Sequence, residues 1–161
     1  MKGKRLKQAF LLDCNSWQLV EACKDQNTYL SFHKQCNDRD VAILKAWSPN
    51  AEQQVQRVTS FTAKLTSTSA QLATGVSSHS VRETTTIATL PDANFRILTE
   101  AQCGGTAMFN KLSFRCVLEL RSVKAGTAVQ ADAEITAQVS PLLTDSQPCA
   151  HVTSLLFAFL F

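Results

Sequence analysis

From Leu112 to Val139 the chain alternates apolar and polar residues, and no other stretch constrains its fold as strongly. Leu112, Phe114, Cys116, Leu118 and Leu120 are separated by Ser113, Arg115, Val117 and Glu119. A period of two belongs to a strand with one buried face and one wet face. A short turn at Lys124-Ala125-Gly126 follows, where Gly126 supplies a positive φ at little cost. The alternation resumes as Thr127, Val129, Ala131, Ala133, Ile135, Ala137 and Val139, against Gln130, Asp132, Glu134, Thr136 and Gln138. Two such runs joined by so short a turn predict an antiparallel hairpin, with Phe114, Leu118, Val129, Ala133 and Ile135 on its buried face. At about 3.3 Å per residue the second run spans roughly 40 Å, long for an ordinary strand. Its inward face is mostly alanine, which leaves room for a helix or a ligand to lie against it.

The rest of the composition bounds the reading. A chain of 161 residues, 45% apolar and 18% charged, is one domain with a sound core. A net charge of +3 does not argue for nucleic acid. Lys2, Lys4, Arg5 and Lys7 fall in residues 1–8, read as a solvated, frayed basic segment with at most a weak attraction to anionic membranes. Ala9-Phe10-Leu11-Leu12 is too short for the apolar core of a signal peptide, and Asp13 ends it. Cys14, Cys23, Cys36, Cys103, Cys116 and Cys149 are scattered, so they read as reduced thiols of a cytoplasmic protein. No apolar run is long enough to cross a bilayer as a helix.

In chain order, Ala9–Leu12 reads as a short first strand. Asn15 or Ser16 offers a cap for a helix carrying Trp17, Leu19, Val20 and Cys23, and Asn27 offers one for a second helix ending near Asn37-Asp38-Arg39-Asp40. Val41–Trp47 and Val55–Leu65 read as strands, the latter with Phe61, Ala63 and Leu65 on one face. Thr66–Gly75 is Ser/Thr-rich and reads as a mobile loop. Ser78–Thr89 and Phe95–Cys103 are further strands, separated by a turn at Pro91-Asp92. Gly104 to Asn110 is a flexible connection carrying Met108 and Phe109.

This order resembles the START-like, or helix-grip, fold. Trp17-Gln18-Leu19-Val20, Asn27-Thr28-Tyr29-Leu30, Phe32-His33 and the run from Asp38 to Trp47 resemble the opening of VASt domains, the StAR-related modules of Aster and Lam sterol transporters. Val55-Gln56-Arg57-Val58-Thr59-Ser60-Phe61 is similar to that family's Arg-containing strand. Arg82–Leu90 and Ile97-Leu98-Thr99-Glu100 fall where the family has its central strands. The resemblance implies an α+β fold, a curved antiparallel sheet of about seven strands with two short N-terminal helices and a C-terminal helix gripped by the sheet. It assigns residues 9–139 to a VASt-like domain. Residues 140–161 are left as an apolar tail, either a partial grip helix or a truncated one.

No catalytic constellation accompanies this layout. His33, His79 and His151 lack metal-ligand spacing and read as ordinary histidines. Asp132 and Glu134 share the wet face of one strand, which suits solvated charges better than an acid/base pair. Small inward residues, Ala63, Ala131, Ala133 and Ala137, leave space in a curved sheet unless a helix sits very close. No charge faces inward along Leu112–Leu120 or Val129–Val139, which favours a neutral, apolar ligand. The expected lining is Phe61, Leu65, Phe114, Leu118 and Val129, with Ala131, Ala133 and Ile135. Met108 and Phe109 at a lid and Phe157 in the tail complete it. The expected function is non-enzymatic lipid binding or intermembrane transfer, with sterol as ligand at a membrane contact site. It needs no cofactor, and the protein is expected to be a monomer. The competing reading is a protein-interaction domain, or a truncated START-like domain without a working cavity.

Overall fold

The computed structural model describes residues 3–65, 71–72, 75–105 and 109–138. Strand β1 (Gly3–Leu12) leads into helices α1 (Ser16–Lys24) and α2 (Gln26–Gln35). Then β2 (Arg39–Pro49), β3 (Val55–Lys64), β4 (Ser78–Leu90), β5 (Asn94–Gly104), β6 (Ser113–Val123) and β7 (Ala128–Gln138) follow as a meander. All are antiparallel, in the order β1-β7-β6-β5-β4-β3-β2. The first strand therefore pairs with the last, and the curved sheet with two helices is the helix-grip arrangement. The tail from residue 140 onward, where a grip helix is expected, lies outside the described residues.

The hairpin of β6 and β7 has continuous register from Ser113↔Gln138 to Val123↔Ala128. Leu118, Val129, Ala133 and Ile135 are buried, while Arg115 is exposed, so the face assignment stands. Phe114 is only half-buried, a correction to the expected buried face. The turn asks more of the backbone than Gly126 alone: φ is +50° at Lys124, +56° at Ala125 and +86° at Gly126. Only the glycine takes such a conformation without Cβ strain.

Both helices begin at side-chain caps. Asn15 Oδ1 accepts from Gln18 N at 2.8 Å, and Asn15 N donates to Gln18 Oε1 at 3.1 Å, a reciprocal capping box. Asp25, not Asn27, caps α2: its Oδ2 accepts from Thr28 N at 2.6 Å and from the Thr28 hydroxyl at 2.8 Å. Asp25 also terminates α1, so the helices meet at a one-residue corner. Leu19, Val20 and Cys23 face the sheet, whereas Trp17 is 57% exposed. Its ring lies 5.9 Å from that of Phe95, with the Lys24 ammonium 5.3 Å over it.

The N-terminal segment corrects another expectation. Residues from Gly3 to Gln8 are not frayed but belong to β1, in register with Gln138 to Ala133 of β7. Arg5 and Lys7 stand on the outer face, 2.6 and 3.5 Å from Glu134. Arg96–Glu119 at 2.7 Å, Arg115–Glu100 at 3.5 Å and Arg121–Asp132 extend this cross-strand pairing. Asp132 and Glu134 are thus spent on ion pairs with neighbouring strands, Glu134 being shared by Arg5 and Lys7.

The inner face carries two apolar clusters. Leu19, Val20 and Cys23 of α1 pack on Ile87, Phe95, Ile97, Leu118, Leu120 and the inward row of β7. Phe61, Ala63, Val81, Cys103, Phe109, Leu112 and Ala137 form the second. The α1 end is pinned by polar contacts: Ser16 Oγ donates to Ala93 O at 2.8 Å and lies 3.1 Å from Ser122 Oγ.

Candidate functional site

Alternation along β3 puts Arg57 and Thr59 on the same face as Phe61 and Ala63. Along β4 it puts Glu83 and Thr85 on the face of Val81 and Ile87. Arg57 is paired with Thr85 and Thr59 with Glu83, so the two charges are diagonal neighbours on the inner face. Both are 2% exposed. The expectation of no inward charge along Leu112–Leu120 and Val129–Val139 concerned β6 and β7 alone; the inner face of β3 and β4 carries these two charges.

Three elements fix these side chains. Helix α2 places the Tyr29 ring 3.9 Å from the Arg57 guanidinium carbon, and β2 places the Trp47 ring at 4.7 Å. Tyr29 Oη donates to Thr59 Oγ1 at 2.7 Å, and Trp47 Nε1 donates to Lys24 O at 3.1 Å, so both rings are tethered. Thr85 Oγ1 donates to Glu83 Oε1 at 3.3 Å. Arg57 Nε and Nη2 and Glu83 Oε2 are buried without a hydrogen-bond partner among the described residues.

A second polar pair lies beside them. His33 Nδ1 is 2.7 Å from Asp38 Oδ2, with the two side chains 1% and 0% exposed. The carboxylate makes Nδ1 the protonated nitrogen. The imidazole is walled by Tyr29, Phe32 and Phe61, at centroid distances of 4.4, 5.2 and 4.3 Å. His33 Nε2 has no hydrogen-bond partner among the described residues. His33 is therefore a core histidine, oriented by the acidic turn that follows α2.

Burial dominates the electrostatics. It pushes the Glu83 carboxyl upward, against the opposing pull of His33, Arg57 and the Thr85 hydroxyl. Burial also lowers the Arg57 guanidinium, against the support of Tyr29, Glu83 and Cys23. Burial raises Cys116 to about 12, with the charge of Glu83 adding to it. Cys23 and Cys103 are likewise raised to about 12 by burial, so neither is a thiolate nucleophile near neutral pH.

Glu83 gives a pH-dependent expectation. A raised carboxyl pKa means the folded chain holds the proton more tightly than the unfolded chain. Its contribution is full below the ordinary value of 4.5 and is lost as pH rises through the higher native value. Glu83→Gln is therefore expected to gain on the natural protein as the pH is raised from 4 to 8. Urea unfolding across that range checks it. A difference that does not change with pH would show that folding does not perturb Glu83.

The interior is thus a polar band on β3, β4 and α2 between two apolar clusters, suited to a molecule with an apolar body and one polar group. Of the expected lining, Leu118, Val129, Ala131, Ala133 and Ile135 are buried in the α1-side cluster. Phe61 and Phe109 are buried in the other cluster, with Leu65 and Phe114 half-buried against it. Met108 and Phe157 lie outside the described residues. Sequence reasoning missed the inward role of Arg57 and Glu83, although parity with Phe61 and Val81 marks it. No group of His, Cys, Asp and Glu among the described residues has the makings of a metal site. No described helix is long and apolar enough to cross a membrane.

No protein-family model and no curated protein matches the sequence. Solved structures do match. The STAR-related lipid transfer protein of Xanthomonas axonopodis aligns over 97% of this chain and 83% of its own, with TM-score 0.62 and 13% identity. Ara h 8.0201 aligns over 98% and 93%, with TM-score 0.59 and 14% identity. Norcoclaurine synthase from Thalictrum flavum aligns over 99% and 92%, with TM-score 0.57 and 6% identity. At such identities the likeness is one of fold.

Proposed function

Starting from a START-like fold with a polar band inside it, we propose that this chain is a non-enzymatic lipid-binding module. A single observation carries the reading. The inner face joins a row of small residues, Ala131, Ala133 and Ala137, to a buried polar band whose Arg57 and Glu83 keep unmet hydrogen-bonding atoms. Unmet polar atoms in a dry interior favour a ligand that brings a complementary head, and apolar clusters on either side of them suit a hydrocarbon body. The lipid-transfer relative in fold supports the same ligand class. Sterol, the ligand implied by the VASt resemblance, fits this scheme with its one hydroxyl beside Arg57 and Glu83. Release to a membrane would make the module a transfer protein.

Nothing in the band argues for turnover. The His33–Asp38 pair is closed in by three aromatic rings, and the buried thiols are raised out of the nucleophilic range. The test is titration of the full chain with a fluorescent sterol and with the fluorescent fatty acid cis-parinaric acid. Saturation of either probe at one site per chain is expected. A well-folded chain that binds neither probe would remove the lipid reading and leave a protein-interaction domain in its place.

A further inference from the structure

Arg57 is flanked by two rings and unused at one edge. The Tyr29 and Trp47 ring centroids stand 3.9 and 4.7 Å from its guanidinium carbon, which restricts how the group can turn. Nε and Nη2 form the side-on fork of a guanidinium, two N–H groups pointing the same way. Both are buried without a hydrogen-bond partner among the described residues. A preorganised fork with both donors unmet has the form of a receptor for a planar pair of oxygens.

We propose that the interior takes a long-chain carboxylic acid, its two carboxylate oxygens accepting from Arg57 Nε and Nη2 and its chain among the apolar side chains that flank the polar band. The assignment rests on the lipid-binding reading and narrows it to one head group. A sterol hydroxyl offers one neutral oxygen for the two donors to share, whereas a carboxylate offers each its own charged oxygen, so the fork favours the acid. Glu83, diagonal to Arg57, decides between oxyanions. Burial shifts its carboxyl toward the neutral form, which donates to a neighbouring carboxylate instead of repelling it. A phosphate monoester would bring up to two negative charges into the same confined space and meets more resistance there.

The experiment is displacement of cis-parinaric acid from the full chain by ligands that differ at the head. These are palmitic acid, 1-hexadecanol, methyl palmitate, lysophosphatidic acid and cholesterol. Palmitic acid is expected to displace the probe about tenfold or more better than the alcohol and the ester. Arg57→Lys keeps the charge and loses the fork. That variant is expected to shrink the margin to about threefold or less. The ligand series on the natural protein carries the test alone if the variant does not fold. Equal displacement by acid, alcohol and ester would overturn the carboxylate assignment while leaving a lipid module standing. A preference for cholesterol or lysophosphatidic acid would overturn it in the same way. Absence of binding by every ligand and by the probe would instead fell the lipid reading itself, and this assignment with it.

Discussion

Phe61→Ala is expected to lower the unfolding free energy by about 3–5 kcal/mol. Phe61 lies on the inner face of β3, opposite Val81, and is 4% exposed. It packs among Ala63, Val81, Cys103, Phe109, Leu112 and Ala137, and four of these, Ala63, Val81, Cys103 and Ala137, are short side chains on strands that cannot swing into the vacated space. The substitution thus removes the transfer energy of an aromatic ring and leaves a cavity as well. It also strips one wall from His33, whose ring stands 4.3 Å from that of Phe61, and opens the His33–Asp38 pair to water. Urea unfolding at neutral pH checks the figure. A loss below about 1 kcal/mol would show that the second cluster collapses freely or contributes little to the core.

Ala131→Asp is expected to be as damaging by a different route. Ala131 is fully buried on β7, between Phe10 of β1 and Leu120 of β6. A carboxylate there has apolar neighbours on both sides. It is left with unpaired burial, protonation or local opening of the sheet, a cost of several kcal/mol, about 3–5. Uptake of an apolar probe should disappear with it, since the charge stands in the apolar interior proposed to hold the ligand. Thr136→Asp makes the same strand more acidic on its opposite face, where Arg5 and Arg115 flank it in register. That control is expected to change stability by less than about 1 kcal/mol and to leave uptake intact. Equal effects of the two substitutions in thermal melts and probe titrations would mean that the two faces of β7 are not distinguished as described.

The contrast between those two positions was legible in the sequence, because the period of two along β7 separates Ala131 from Thr136 without any tertiary information. The same signal extends further than it was first carried. Parity with Phe61 places Arg57 inward, and parity with Val81 places Glu83 inward. Sequence cannot show that α2 and β2 close over those side chains, nor that the rings of Tyr29 and Trp47 both come to lie against Arg57. These contacts join segments far apart in the chain, and only packing makes a buried charge tolerable.

The helix ends show the same division. Asn15 caps α1 through a side chain that is local in sequence, whereas Asp25 displaces Asn27 as the cap of α2 because α1 must end and turn at one residue. Local alternation by itself determined that the chain forms long antiparallel strands, that β6 and β7 make a hairpin, and which face of it is dry. Those features depend on neighbours a few residues away and on the two-residue repeat of extended backbone. Only the tertiary structure decided that Gly3–Gln8 joins the sheet, since that strand exists by pairing with β7 at the other end of the chain. It likewise decided that the interior holds a polar band. That band is assembled from α2, β2, β3 and β4, whose side chains meet only once the sheet has curved around them.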